Sequence, residues 1–240
     1  MQTEHHGIGR GALRALIGGG LLIAAPAQAA TRGFTITSFD AIRVDAPVNV
    51  VLTTGAGASA RAEGDQNALD RLKVDVSGRL LVVTMERPRP GEKSGGAATV
   101  RLSTGMLQRV VLTGGGSVAI NRIKGLSAQI VLGGNGDVSV GDVQLDRLEV
   151  ALAGGGRLSL AGKAGVANIR VNGPGSVAAE PLRVQQASIV NEGPGSVVLT
   201  ADGSARIVTS GSGDISVAGK AACSVENKGT GRLICGGEAY

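Results

Sequence analysis

In the C-terminal half of the chain, apolar residues alternate with small or polar ones in blocks of nearly fixed length. Aligning on the second glycine of each Gly-x-Gly triplet places anchors at Gly116, Gly136, Gly156, Gly175, Gly195, Gly213 and Gly231, spaced 20, 20, 19, 20, 18 and 18 residues. Six positions before the anchor stand Val110, Ile130, Val150, Ile169, Ile189, Ile207 and Val225, all β-branched. Two positions after it stand Val118, Val138, Leu158, Val177, Val197, Ile215 and Leu233. Four after it stand Ile120, Val140, Leu160, Ala179, Leu199, Val217 and Cys235. The residues between these last two columns are mostly small. A period of two marks strands, whose side chains point alternately to opposite faces. Each block therefore predicts two short strands bent at a Gly-x-Gly corner.

One such unit cannot bury its apolar face alone, whereas stacked copies can. The expected fold is all-β: a right-handed parallel β-helix (β-solenoid) with 18–20-residue rungs and like residues stacked in internal ladders. At about 4.8 Å per rung, seven rungs make a rod section about 34 Å long. Each glycine costs about 0.5–1 kcal/mol relative to alanine. Its recurrence predicts corners that need positive φ or a close approach of neighbouring backbones. Four positions before the anchor, Leu112, Leu132, Leu152 and Val171 give way to Asn191, Thr209 and Asn227. This suggests polar side chains hydrogen-bonded to one another along the rod.

The upstream strands are less regular. Ile42 and Val44, then Val48, Val50 and Leu52, alternate; Asp65 to Leu69 reads as a capped helical turn or exposed loop. Leu72, Val74 and Val76 precede a turn at Ser77-Gly78 and a strand from Leu80 to Met85. Residues 87–96 are a Pro- and Gly-containing loop that divides the halves. The expected organisation is a single β-helix domain over residues 30–240. Residues 30–97 would form irregular rungs that cap the rod with Phe34 and Phe39, and residues 98–240 the regular repeats.

Residues 1–29 carry Arg10 and Arg14, an apolar stretch through Ala25, and a small-x-small site at Ala27-Gln28-Ala29. This pattern predicts a signal peptide that is removed. No later segment reaches 18 apolar residues, so no transmembrane segment is expected after its removal. The expected location is exported: periplasm, outer membrane surface or extracellular. The expected mature chain has 211 residues, a net side-chain charge of +4 and no histidine, because His5 and His6 both lie in the leader. That argues against histidine-dependent nucleophiles, histidine general bases and histidine metal sites.

The segment FTITSFDAIRVDAPVNVVLTTG, the following ARAEGDQNALDRLKVDVSGRLLVVTM and the repeated GSVAI, GDVSV and GPGSV units resemble the putative auto-transporter adhesin, head GIN domain family, over roughly residues 34–220. The resemblance is specific in the Asp65-to-Leu72 segment and in the Gly-x-Gly-(Ser/Asp)-Val repeats. It implies an exported β-helical protein of the bacterial envelope and supplies no catalytic residues.

Four kinds of chemistry remain to be weighed. No glycine pair opens a helix and no Lys completes a phosphate loop, so nucleotide binding is not expected. Gly133-Gly134-Asn135-Gly136-Asp137 resembles a calcium β-roll, but the column after the anchor contains Arg157 and Arg232, which argues against bound calcium. Glu63, Asp65, Asp70 and Asp75 are the carboxylates that a carbohydrate-active enzyme, a polysaccharide lyase or hydrolase on a β-helix, would use in pairs. That is the alternative to a non-enzymatic module. With Phe34, Phe39 and Tyr240 as the only aromatics, sugar platforms are scarce. No cofactor or metal is expected.

A basic stretch including Arg79, Arg87, Arg89 and Lys93 is a candidate patch for an anionic partner, either a protein or an anionic polysaccharide. Nucleic acid is not expected, for want of interleaved aromatics. Cys223 and Cys235 both fall in inward columns of the last repeat. Export favours a disulfide between them, stapling the frayed end; two buried free thiols are the other possibility. The function expected from all this is an exported, non-enzymatic structural or interaction module of the cell envelope, adhesin-like, presenting a rigid extended face.

Overall fold

The computed structural model describes residues 30–91 and 95–240. The expected signal peptide, 1–29, and Lys93 lie outside the described residues. The strands are β1 (Ala30–Phe34), β2 (Ala41–Val44), β3 (Asn49–Thr54), β4 (Ser59–Gly64), β5 (Leu72–Ser77), β6 (Leu80–Met85), β7 (Ala98–Thr104), β8 (Arg109–Leu112) and β9 (Ser117–Ile120). They continue as β10 (Ile123–Leu132), β11 (Asp137–Leu152), β12 (Arg157–Val171), β13 (Ser176–Asn191), β14 (Ser196–Thr209), β15 (Ile215–Ala218), β16 (Ala222–Asn227), β17 (Leu233–Cys235) and β18 (Glu238–Ala239). One short helix, α1 (Gln66–Arg71), interrupts them.

These strands form a parallel β-solenoid of about 6 turns. Each full turn contributes to three parallel ladders. Ladder A joins the strands after the corner, such as Asp137–Val140 to Arg157–Leu160. Ladder B joins the middle segments, such as Val143–Leu145 to Gly162–Ala164. Ladder C joins the segments leading into the next corner, such as Arg147–Leu152 to Val166–Val171. The apolar columns read from the sequence are the inner ladders. Val110, Ile130, Val150, Ile169, Ile189, Ile207 and Val225 pair in that order. Its first six members are at most 3% exposed.

The corners explain the glycines. An added Cβ on Gly154 would lie 1.9 Å from the carbonyl oxygen of Gly134, and one on Gly156 would lie 1.9 Å from that of Gly136. Neither glycine has positive φ. Of the two causes the sequence allows, close rung-to-rung approach is the one that operates here.

The first rung differs from expectation. Ile42, Val44, Val50 and Leu52 occupy the same four columns as every later rung, pairing with Val110, Leu112, Val118 and Ile120. Its corner is Ala46-Pro47-Val48 rather than Gly-x-Gly. The layer on its other side is made of β6 and β7, which pair with β2 and β3. In that layer β6 ends at Met85 and β7 begins at Ala98, with no Gly-x-Gly corner among the described residues between them. The requirement begins one rung later, where a Cβ on Gly116 would lie 2.0 Å from the Val48 carbonyl oxygen.

Chain order and stacking order therefore disagree at this end. Residues 38–54 lie inside the stack, and residues 80–104 lie beyond them. The strands on either side of the 87–96 stretch, β6 and β7, both stack on the β2–β3 rung. The outermost cover is antiparallel: β5 on β6, β4 on β7 and β1 on β4. Phe39 is buried, and its carbonyl accepts from the Thr104 hydroxyl; Phe34 packs half-buried on the core.

The expected polar ladder along the rod also differs. Asn191 Nδ2 donates to the Gly195 carbonyl at 2.8 Å, and its Oδ1 accepts from the Gly193 N–H at 3.3 Å. Asn227 Oδ1 accepts from the Gly229 N–H at 3.0 Å. Each asparagine thus clamps its own corner. Thr209, between them, is buried with no partner for its hydroxyl.

Candidate functional site

Along ladder C the outward side chains form two columns. The first runs Arg109, Gln129, Glu149, Asn168, Ser188 and Arg206. The second runs Val111, Val131, Ala151, Arg170, Val190 and Val208. Arg147 stands two residues before Glu149 on the same strand and faces Ser127 across the ladder. The surface is hollowed. One depression of about 460 Å³ is lined by residues including Gln129, Glu149, Asn168, Arg170, Ser188 and Val190. A second, of about 520 Å³, is lined by residues including Asp40, Arg109, Ser127, Gln129, Arg147 and Glu149. Sharing Gln129 and Glu149, the two make one groove running across the rungs.

This groove is basic. Arg109, Arg147 and Arg170 line it, and Arg206 continues the outward column beyond it; all four are exposed, and none is in an ion pair among the described residues. The neighbouring carboxylates are committed elsewhere or few. Asp40 is bound to Arg79 at 2.6 Å, Asp45 to Arg43 at 2.8 Å, and Glu226 to Lys228 at 2.7 Å. The Lys228 hydrogen bond and charge hold Glu226 below the usual carboxylate range, with Arg206 adding to the effect. Glu149 is the one acidic side chain in the two outward columns from Arg109 to Arg206.

The basic patch expected from sequence is not assembled in this way. Arg79 and Arg87 flank opposite ends of β6, about 20 Å of strand apart. Arg79 is tied to Asp40. Beside Arg87, Lys73 donates to Glu86 at 2.5 Å; its hydrogen bond and charge lower the Glu86 pKa, with Arg89 contributing. Arg89 thus sits in the electrostatic surroundings of Glu86 rather than in a common face with Arg79.

Three of the four candidate enzymatic carboxylates, Asp65, Asp70 and Glu63, are placed as structural groups. Asp65 caps α1, its Oδ1 accepting from the N–H groups of Asn67 and Ala68 at 3.0 and 3.3 Å. Asp70 accepts from Gln66 at 2.8 Å, and Glu63 pairs with Arg101 at 3.4 Å. The calcium-like corner is likewise structural. Asn135 Oδ1 accepts from the Gly155 N–H at 3.1 Å, and Asp137 Oδ1 from the Arg157 N–H at 3.2 Å. Asp214 accepts from the Arg232 N–H at 2.9 Å in the same way. These side chains tie one rung to the next.

Cys223 and Cys235 are joined by a disulfide across the last layer, with Cα atoms 6.2 Å apart. That layer is completed by β18, which pairs antiparallel with β17.

The inward columns of the sequence carry no sign of the groove. The same 18–20-residue alignment, read at positions seven and five before the anchor, lines up Arg109, Gln129, Glu149, Asn168, Ser188 and Arg206, with Arg170 beside them.

Solved structures of similar shape are known. A putative adhesin from Bacteroides fragilis is 22% identical, with a TM-score of 0.78 over 87% of this chain and 96% of its own. A putative lipid binding protein from Parabacteroides distasonis is 21% identical, with a TM-score of 0.68 over 87% of this chain and 97% of its own. A putative adhesin from Parabacteroides merdae is 20% identical, with a TM-score of 0.65 over 87% of this chain and 96% of its own. At these identities the likeness establishes the fold. No curated protein matches the sequence. No helix among the described residues is long and apolar enough to cross a membrane. The family model described as "putative auto-transporter adhesin, head GIN domain" matches residues 38–221, all but the first eight described residues and the last layer, and the chain belongs to that family.

Proposed function

We propose that the protein is an exported, non-enzymatic interaction module of the bacterial cell envelope, adhesin-like in action, whose partner lies along ladder C. The observation that carries this reading is the groove itself: three guanidiniums, with a fourth on Arg206 beyond its end, free of ion pairs among the described residues and strung over a rigid stack whose backbone groups are already paired. The leader pattern of residues 1–29 supports export, and the family supports a binding role. Of the carboxylates that would serve a glycan-cleaving enzyme, Asp65, Asp70 and Glu63 have capping and pairing roles, which supports the non-enzymatic reading. The experiment is protease shaving of intact cells, with a periplasmic control protein and N-terminal mass analysis of the recovered chain. A chain beginning near residue 30, cut on intact cells or only after outer-membrane permeabilisation, is the expected result. A cytoplasmic chain that retains residues 1–29 would contradict it.

Lipid binding is a second reading, favoured by one feature. Between ladders A and B lies a depression of about 570 Å³ whose lining, including Val140, Leu160, Pro181 and Val198, is mainly apolar. Flotation with phosphatidylcholine vesicles that is lost on Val198→Asp would support it; no flotation would dismiss it.

A further inference from the structure

We infer that the ladder C groove binds an extended, carboxylate-bearing polysaccharide lying along the rod axis, an inference that rests on the binding role proposed above. The charges are arranged in a line rather than a cluster. Arg109 and Arg147 stand two rungs apart, Arg147 and Arg170 on successive rungs, and Arg170 and Arg206 two rungs apart. At about 4.8 Å per rung the row spans about 24 Å along the axis; it zigzags, because Arg147 and Arg170 lie four strand positions apart across it, so successive arginines are about 12–14 Å apart. A line of fixed cations selects a polymer with repeating negative charge over a single headgroup. Guanidinium is suited to carboxylate, because its fork can donate two parallel hydrogen bonds.

Between the arginines stand two amides, a hydroxyl and one carboxylate, Glu149, which leaves the groove's arginines in excess. Gln129, Asn168 and Ser188 occupy the column that Arg109 and Arg206 bracket. They offer donors and acceptors at a spacing of one rung or two to a chain rich in hydroxyls. An extended peptide is the poorer fit. Strand addition requires an unpaired sheet edge, and the strands flooring this groove are paired on both sides. Nucleic acid fits poorly as well, since neither outward column carries an aromatic side chain on which bases could stack. Rigidity contributes too: the arginine backbones are held by the ladder, so binding orders only side chains.

The test uses polygalacturonate as the probe, neutral dextran as a control and phosphatidylglycerol vesicles as an alternative anionic surface. Affinity is measured by biolayer interferometry with the purified chain at low and physiological salt. Arg147→Glu/Arg170→Glu alters the groove. Lys124→Glu/Lys163→Glu makes the same charge change on outward positions of ladder B. Circular dichroism confirms folding, and Arg147→Gln/Arg170→Gln provides a milder pair.

The expected result is polygalacturonate binding that weakens with salt. It should fall at least tenfold in both groove variants and less than threefold in the ladder B variant, with no binding to dextran and no shortening of the polymer. Absence of polygalacturonate binding, binding to vesicles alone, equal loss in the groove and ladder B variants, or equal binding of dextran would each overturn the inference. Because shaving reads location and these assays read the ligand, failure here leaves the export reading separately testable.

Discussion

Replacing a corner glycine with alanine tests the packing logic of the whole rod. At Gly156 the new Cβ would sit 1.9 Å from the Gly136 carbonyl oxygen, whereas real contacts of this kind stay beyond 3.0 Å. The two rungs would have to part locally by about 1.1 Å, yet ladders A and C fix them on either side of the corner. Overpacking of this kind costs about 1–3 kcal/mol when side chains can yield. Here backbone meets backbone, so about 3 kcal/mol is expected, less about 0.4–1 kcal/mol regained from the stiffer unfolded chain. Gly115 is the control, because it lies in the middle of a corner triplet, has no atom within 4 Å of an added Cβ and does not have positive φ. Gly115→Ala should gain about 0.4–1 kcal/mol. For a chain of this size, the two variants should differ in Tm by about 6–12 °C. Thermal and urea melts followed by circular dichroism measure this directly. If Gly156→Ala and Gly115→Ala melt together, close rung contact is not the reason for the glycines.

Further outcomes follow from single groups. Thr209→Val should raise stability by about 1 kcal/mol in urea titration, because it removes a buried hydroxyl that has no partner; a loss would mean the hydroxyl is satisfied in solution. Burial pushes the Asp45 carboxyl up, but the Thr113 hydroxyl and Arg43 outweigh it, so its pKa lies below the ordinary 3.8. A carboxylate lowered on folding stabilises above its unfolded pKa, and the contribution fades as pH falls through the folded value. The stability deficit of Asp45→Asn should therefore be present at pH 7 and shrink below about pH 3.8; urea midpoints across that range check it, and a deficit independent of pH would refute it. Intact mass of the chain isolated from its native host and alkylated without reductant should show no modified cysteine. Cys223→Ser/Cys235→Ser should cost about 3 kcal/mol, since the bond closes a short loop in the last layer. Two alkylated thiols would refute the staple.

Much of the fold was legible because period-two alternation and a fixed repeat length are direct consequences of stacking identical rungs. Ile130, Ile169 and Ile189 could be placed inside from their column alone. The rung at 38–54 was hidden because it lacks the glycine signature. Its corner is Ala46-Pro47-Val48, and the layer it stacks on, β6 and β7, has no Gly-x-Gly corner among the described residues. The inward stacking of residues 38–54, against chain order, depends on the antiparallel cover of β1, β4 and β5, whose pairing leaves no periodic trace. The groove was half legible. Its polar column follows from the repeat alignment, but Arg109, Arg147, Arg170 and Arg206 follow one another at intervals of 38, 23 and 36 residues and come near only through the rung register. The patch read from sequence spans one extended strand: Arg79 and Arg87 are near in sequence and lie at opposite ends of β6.

A rod that works by presenting ladder C to an envelope partner should bind envelopes through that face, whatever the ligand. Co-sedimentation with envelope fractions of the native host measures this directly. Wild-type protein and Lys124→Gln/Lys163→Gln should sediment with the envelopes, while Arg147→Gln/Arg170→Gln stays in the supernatant. If the groove variant sediments as the wild type does, ladder C is not the working face.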